Sequence, residues 1–264
     1  MGMKSLLHKA GVLLSVSYAY MLEYRAELIL WVLSGSLPII LMGVWTKAAA
    51  EGDFVLSSLQ FARYFLAVFM VRQFTIVWVI WDFEREIVEG KLSPRLLQPI
   101  DPIWHHLSGH IAERGARLPF ACFLVGLFFL LYPQAFWIPS LTGMLLGSLA
   151  IVLAFALRFL IQYTFALCAF WTERASALEE LFFLFYLFLS GVIAPLEVFP
   201  AAMREILLWT PFPYMIDFPA SLLVGIPVNL AQGFSVSLVW LLAITLLNRC
   251  LWREGLKQYS AMGS

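Results

Sequence analysis

Charge is scarce in this chain and neither sign prevails: 13% of its 264 residues are Asp, Glu, Lys or Arg, with 17 basic residues against 17 acidic. A balanced count leaves no global field to attract a nucleic acid, so none is expected as a partner. Cysteine is scarcer still. Cys122, Cys168 and Cys250 lie in or beside apolar runs without paired spacing, which excludes a disulfide framework and a zinc site. A phosphate-binding glycine loop is also missing. Gly90-Lys91-Leu92-Ser93 resembles the end of one, but Arg85 stands where the first glycine belongs, and no strand precedes it.

Apolar residues fill the space that charge leaves. They make up 62% of the chain, and the mean hydropathy is +0.86. A soluble domain needs a charged surface, whereas here the apolar residues fall into blocks long enough to span hydrocarbon. The expected fold is an all-α membrane protein, a single transmembrane domain over 1–264. Residues 1–27 read as an amphipathic helix in the cytoplasmic interface, because no small-residue cleavage site follows their apolar stretch. Six transmembrane helices are expected at 28–46, 61–81, 118–132, 141–162, 178–193 and 233–247. The third and fourth form a hairpin across the proline-bounded turn Pro133 to Pro139. Between 194 and 229 six prolines surround the amphipathic stretch Ala201 to Trp209, a pattern for short broken helices at the extracellular interface. Basic residues resist translocation. With the amino terminus inside, only Lys47 and Arg204 fall outside, and Arg63, Arg72 and Arg158 sit within spans. Both termini are then cytoplasmic.

The polar stretch 82–117 carries the most specific pattern. A helix leaving the membrane bears Asp82, Glu84, Glu86 and Glu89 and stops at Gly90, the residue type that ends helices in a left-handed turn. Ser93 then caps a second short helix that begins at Pro94 and ends at Pro99. The product is a compact knob presenting Leu92, Leu96 and Leu97 between charged flanks, shaped to seat in a groove of a cytoplasmic motor domain. The alternative is a solvated loop whose charges only fix topology.

Three features together resemble the permeases of the type-2 ABC transporter (ABC-2) family, in the branch first catalogued as a domain of unknown function. They are the run Glu86-x-x-x-Gly90-Lys91-Leu92-x-x-x-Leu96-Leu97-x-Pro99, the run Ala169-Phe170-Trp171-Thr172 that ends the fourth span, and the proline-broken segment before the sixth. The resemblance covers nearly the whole chain. It implies a permease subunit of an ATP-driven exporter in a bacterial plasma membrane. Two permeases, identical or related, would pair among membrane lipids, and each would meet a separate ABC ATPase subunit that carries the ATP and Mg. No cofactor is then expected in this chain. Glu86, Gly90, Lys91, Leu92, Leu96 and Leu97 become the expected coupling residues, and the segment from Ala201 to Phe218 the closure of the outer pathway. The exported compound would be amphipathic or lipophilic.

Arg72 and Arg158 lie within spans, where a charge costs several kcal/mol unless it meets water or a partner. No acid is expected at their depth, since Glu179 and Glu180 are placed at the inner end of the fifth span. One reading puts either arginine in a hydrated translocation pathway; the other is snorkelling, or bonding to helix carbonyls and to Gln73 or Gln162. His106, His110 and Glu113 recur at helical spacing beside His105, but without a second matching set they read as a polar loop, and no metal is expected. A membrane enzyme, such as a lipid-modifying transferase or an intramembrane hydrolase, is the competing class. It needs a nucleophile, a carboxylate pair or a metal cluster near a span, and apart from the histidines none is legible, so no catalytic residue is expected.

Overall fold

The computed structural model describes residues 3–23, 30, 32–33 and 35–262. Residues 28, 29, 31 and 34 of the expected first span, and Glu27 before it, lie outside the described residues. Everything regular among the described residues is helical: α1 (Met3–Glu23), α2 (Leu37–Glu51), α3 (Ser58–Thr75), α4 (Val79–Val88), α5 (Leu92–Leu96), α6 (Ile103–Leu131), α7 (Leu141–Ala166), α8 (Ser176–Leu189), α9 (Ala201–Leu207), α10 (Asp217–Val224) and α11 (Leu230–Met262). Single 3-10 turns at 133–135, 167–170, 196–198 and 213–215 link some of them.

The helix at the centre is α3. A reciprocal cap starts it: the Gln60 amide donates to Ser57 Oγ at 3.3 Å, and the Ser57 amide donates to Gln60 Oε1 at 2.9 Å. Apolar over most of its surface, it is largely buried, with Phe61, Tyr64, Phe65, Val68 and Val71 sealed from solvent. Leu157 and Ile161 of α7, Tyr186 of α8, and Met215, Ile216 and Ala220 around the start of α10 complete this core. A second core lies nearer the chain ends of the bundle, where Val79, Ile80 and Phe83 of α4 meet Phe159, Tyr163 and Phe170, with Leu251 and Trp252 of α11 against them. Small residues allow close approach at three crossings: Gly147 faces Leu223, Gly233 faces Phe218, and Gly255 faces Phe170.

Four stretches among the described residues are long and apolar enough to cross a membrane: Ser58–Val88, Ile103–Leu131, Leu141–Phe170 and Leu230–Tyr259. The remaining expected spans are shorter, 15 residues in α2 and 14 in α8, against the roughly 20 that hydrocarbon requires. Three boundaries differ from expectation. The second span is two helices, interrupted between Thr75 and Val79. The third begins at Ile103, so the second half of the 82–117 loop is helix continuous with the span. The sixth runs on through the basic tail to Met262, because Leu251, Trp252, Leu256 and Tyr259 continue one apolar face onto the second core. At 33 residues it is about 50 Å long. The amino-terminal helix α1 lies along the first half of α6, with Ser17 Oγ and Ser108 Oγ 3.3 Å apart and Tyr18 on Gly115.

Candidate functional site

The interruption in the second span is a built feature. After Thr75 the backbone turns extended at Ile76, which frees carbonyls of the last turn and an amide of the next helix inside an apolar bundle. Side chains from two other helices meet them. Arg114 of α6 donates through Nε to the Phe74 carbonyl, through Nη2 to the Ile76 carbonyl at 2.7 Å, and through Nη1 to the His110 carbonyl. Its guanidinium also lies 3.8 Å from the centre of the Phe155 ring. Gln162 of α7 donates to the Val77 carbonyl at 2.9 Å. The Trp78 amide donates to His110 Nε2 at 3.2 Å, which requires the His110 proton on Nδ1, where the His106 carbonyl accepts it at 2.8 Å. Carbonyls and an amide at the break are thus hydrogen-bonded by residues that a straight helix would not need.

Below the break, α4, Gly90 and α5 form the knob. Gly90 has φ +68°, the left-handed conformation that lets α4 stop and α5 leave at an angle. Glu86 faces inward, 8% exposed, held by Arg95 Nη2 at 2.8 Å with His106 Nε2 at 3.4 Å. Glu84 reaches across to α8, where the Ser176 amide donates to Oε2 at 2.6 Å and the Ser176 hydroxyl lies 3.2 Å from Oε1. A carboxylate from the knob therefore caps the amino terminus of α8 and meets the positive end of its dipole. Two contacts tie the other side to α11: Ser93 Oγ to Tyr259 Oη at 2.8 Å, and Arg249 Nη1 to Asp101 Oδ2 at 2.7 Å.

This placement sorts the expected coupling residues. Leu97 projects outward, 88% exposed, beside exposed Lys91 and Gly90. Leu96 is half-buried. Leu92 is not presented at all: it is 0% exposed, inside the second core. The short helix starts at Leu92, not Pro94, and Ser93 bonds Tyr259 where a cap had been expected. Five residues are too few for periodicity to say which leucine faces in.

The two intramembrane arginines differ. Contrary to expectation, Arg158 has an acid at its own depth: its Nη2 is ion-paired with Glu179 of α8, the two being 5% and 2% exposed, and its guanidinium lies 4.4 Å from the Tyr186 ring centre. Glu179 does lie in the first turn of α8, where the sequence places it, but that turn packs against α7 at Arg158. Arg72 is half-buried on α3, and its Nη1 is buried without a hydrogen-bond partner. At the other end of the bundle the Tyr64 hydroxyl donates to Asp217 Oδ1 at 2.7 Å and lies 2.9 Å from the Gly191 carbonyl. The Leu196 amide donates to the same Asp217 oxygen at 3.1 Å, and the Asp217 amide donates to the Ser190 carbonyl at 2.9 Å. These bonds pin the start of α10 to α3 and to the end of α8.

A family model described as ABC-2 family transporter protein matches residues 28–263, which takes in every helix from α2 to α11. The chain belongs to the ABC-2 transporter family. No curated protein matches it. As an ABC-2 family member it is a multi-pass membrane permease component and not itself a catalyst, and such permeases work with ABC ATPase partners. Within this ABC-2 chain, sequence reasoning missed the roles of Arg114, Glu84 and the Tyr64–Asp217 staple; it named Gln162 only as a partner for an intramembrane arginine and read His110 as part of a polar loop. One signal for the break was present. Thr75, Ile76, Val77, Val79 and Ile80 form a nearly continuous β-branched run, the residues least at ease in a helix interior.

Proposed function

We propose that this ABC-2 family protein is the membrane half of an ATP-driven exporter, which pairs with a second permease and with separate ATPase subunits to move an amphipathic or lipophilic compound out of the cytoplasm. It crosses the membrane six times, with α2 and α8 completed by flanking residues, and both termini face the cytoplasm of a bacterial cell. The ATPase seats on the knob from Glu86 to Pro99.

One observation carries this reading: the knob offers a single exposed leucine, Leu97, on a segment wired to three transmembrane helices. Glu84 fastens it to α8, Ser93 and Asp101 fasten it to α11, and the bonded break at 75–79 joins it to α3. A push on Leu97 reaches the transmembrane bundle through hydrogen bonds and rigid helices instead of being lost in a flexible loop. Leu96 and Lys91 flank the contact, Gly90 sets its angle, and Glu86 with Leu92 holds it rigid from within. Arg72, the intramembrane cation on the central helix without a hydrogen-bond partner at Nη1, faces the pathway and meets an anionic part of the exported compound. Arg158, paired to Glu179, supports the wall of that pathway.

The test is to purify the tagged chain gently and identify what accompanies it, then repeat with Leu97→Asp. An ABC ATPase is expected with the parent chain, and the substitution is expected to remove it or to abolish transport-linked hydrolysis. Normal association and coupling in Leu97→Asp would overturn the assignment of the knob.

A further inference from the structure

A cavity of about 450 Å³ lies between α1, α4 and α6 at the end of the bundle that carries the knob. Its size suits a small polar group with an apolar tail. One wall is apolar and aromatic: Val16, Tyr20 and Met21 of α1 and Trp78 from the break. The opposite wall carries charges of both signs, and several of these are not satisfied by the protein. Asp82 and Arg85, one helical turn apart on the same face of α4, both line the cavity, and neither makes a hydrogen bond or ion pair among the described residues. Glu86 lines it too. Nine-tenths buried, it gives one oxygen to Arg95, while Oε2 lies 3.4 Å from His106 Nε2 and accepts no hydrogen bond. His105 Nε2, on the same wall, is likewise buried without a partner.

Orphaned acceptors and an uncommitted cation around one cavity call for a ligand that carries both signs. An anion alone would engage Arg85 and leave Asp82 and Glu86 Oε2 unmatched. An amine alone would leave Arg85. Among zwitterions, a quaternary ammonium has no N–H to give an orphaned carboxylate oxygen, whereas a primary ammonium has three. The cavity also opens beside α1, an amphipathic helix expected at the membrane surface, where headgroups lie.

We propose that this cavity seats the headgroup of a phosphoethanolamine lipid. Its ammonium donates to Glu86 Oε2 and Asp82, its phosphate is held by Arg85, and its glycerol and upper acyl chain run along Val16, Tyr20 and Met21. The lipid thereby glues α1 to the base of the knob.

The experiment uses the full chain, purified in mild detergent and stripped of lipid. It is titrated separately with phosphatidylethanolamine, phosphatidylcholine and phosphatidylglycerol of identical acyl chains, and bound lipid is counted by native mass spectrometry. A further arm uses free glycerophosphoethanolamine. Phosphatidylethanolamine is expected to bind at least about tenfold more tightly than the other two. The double variant Asp82→Asn/Arg85→Gln is expected to lose that preference while keeping its helical circular dichroism. Should the double variant misfold, Arg85→Gln alone, at an exposed position, is expected to weaken phosphatidylethanolamine binding. Equal binding of the three lipids, or a preference for phosphatidylglycerol, would overturn the proposal. So would equally tight binding of the free headgroup, which would make the ligand a soluble phosphoamine. The count needs no ATPase, so it stands or falls separately from the exporter reading.

Discussion

A charge inside a bilayer persists where it meets water or a partner, and Arg158 has a partner in Glu179. Removing one member of such a pair leaves the other buried and uncompensated, a loss of about 3–5 kcal/mol. Glu179→Gln is therefore expected to be strongly destabilising, and Arg158→Leu/Glu179→Leu together much less so; chemical unfolding in detergent micelles compares them. Asp217 makes a second prediction at this scale. Burial, and then the charge of Glu197, raises its carboxyl to about 7, only partly offset by the bonds from Tyr64 and Leu196. An unfolded chain gives up that proton near pH 4, by roughly the ordinary aspartate value, while the folded protein keeps it until about 7. Folding stability contributed by Asp217 is thus fully present below the lower value, declines as pH rises between the two, and changes no further above the upper one. Thermal midpoints of the parent protein should fall across that window, and those of Asp217→Asn should fall less. If the two slopes match, Asp217 is not the group responsible.

Among the elements, the broken second span matters most. Arg114 supplies donors to three carbonyls at and beside the break, so Arg114→Ala strands buried acceptors, each worth about 1–3 kcal/mol. The expected result is a chain that still associates with its ATPase, since Leu97 is untouched, but whose substrate-stimulated hydrolysis drops at least severalfold. Unchanged stimulation would mean that the break is only structural. How far this region was legible depends on pattern length. The turn between α6 and α7, the stop at Gly90 and the proline-broken segment each carry a local chemical signature, and the helices of the structure are interrupted at those residues. The break shows only as a β-branched run, because hydropathy runs through 75–79 without a dip and the polar groups that satisfy it come from α6 and α7, far along the chain. Leu92 and Leu97 were indistinguishable for the opposite reason: a single turn is too short for a face to show.

For the whole molecule, what matters is the path through the membrane. Four stretches reach across by length alone, and six crossings require α2 and α8 to extend with their neighbours. The basic residues make the orientation testable. In a variant with Cys122, Cys168 and Cys250 replaced, a single cysteine at Lys47 is expected to react with an impermeant thiol reagent added to intact cells, and one at Glu254 only after lysis. Labelling of Glu254→Cys in intact cells would turn the molecule over and move the knob away from any cytoplasmic ATPase.

The bond from Glu84 to the head of α8 has one more consequence. The Ser176 amide is shielded from exchange with solvent deuterium only while the carboxylate of another helix stays beside it. Each time α4 leaves its seat, that proton becomes free to exchange, and each return protects it again. The exchange rate of a single backbone amide thus reports what fraction of the time α4 is unseated, readable in the intact protein without a transported compound.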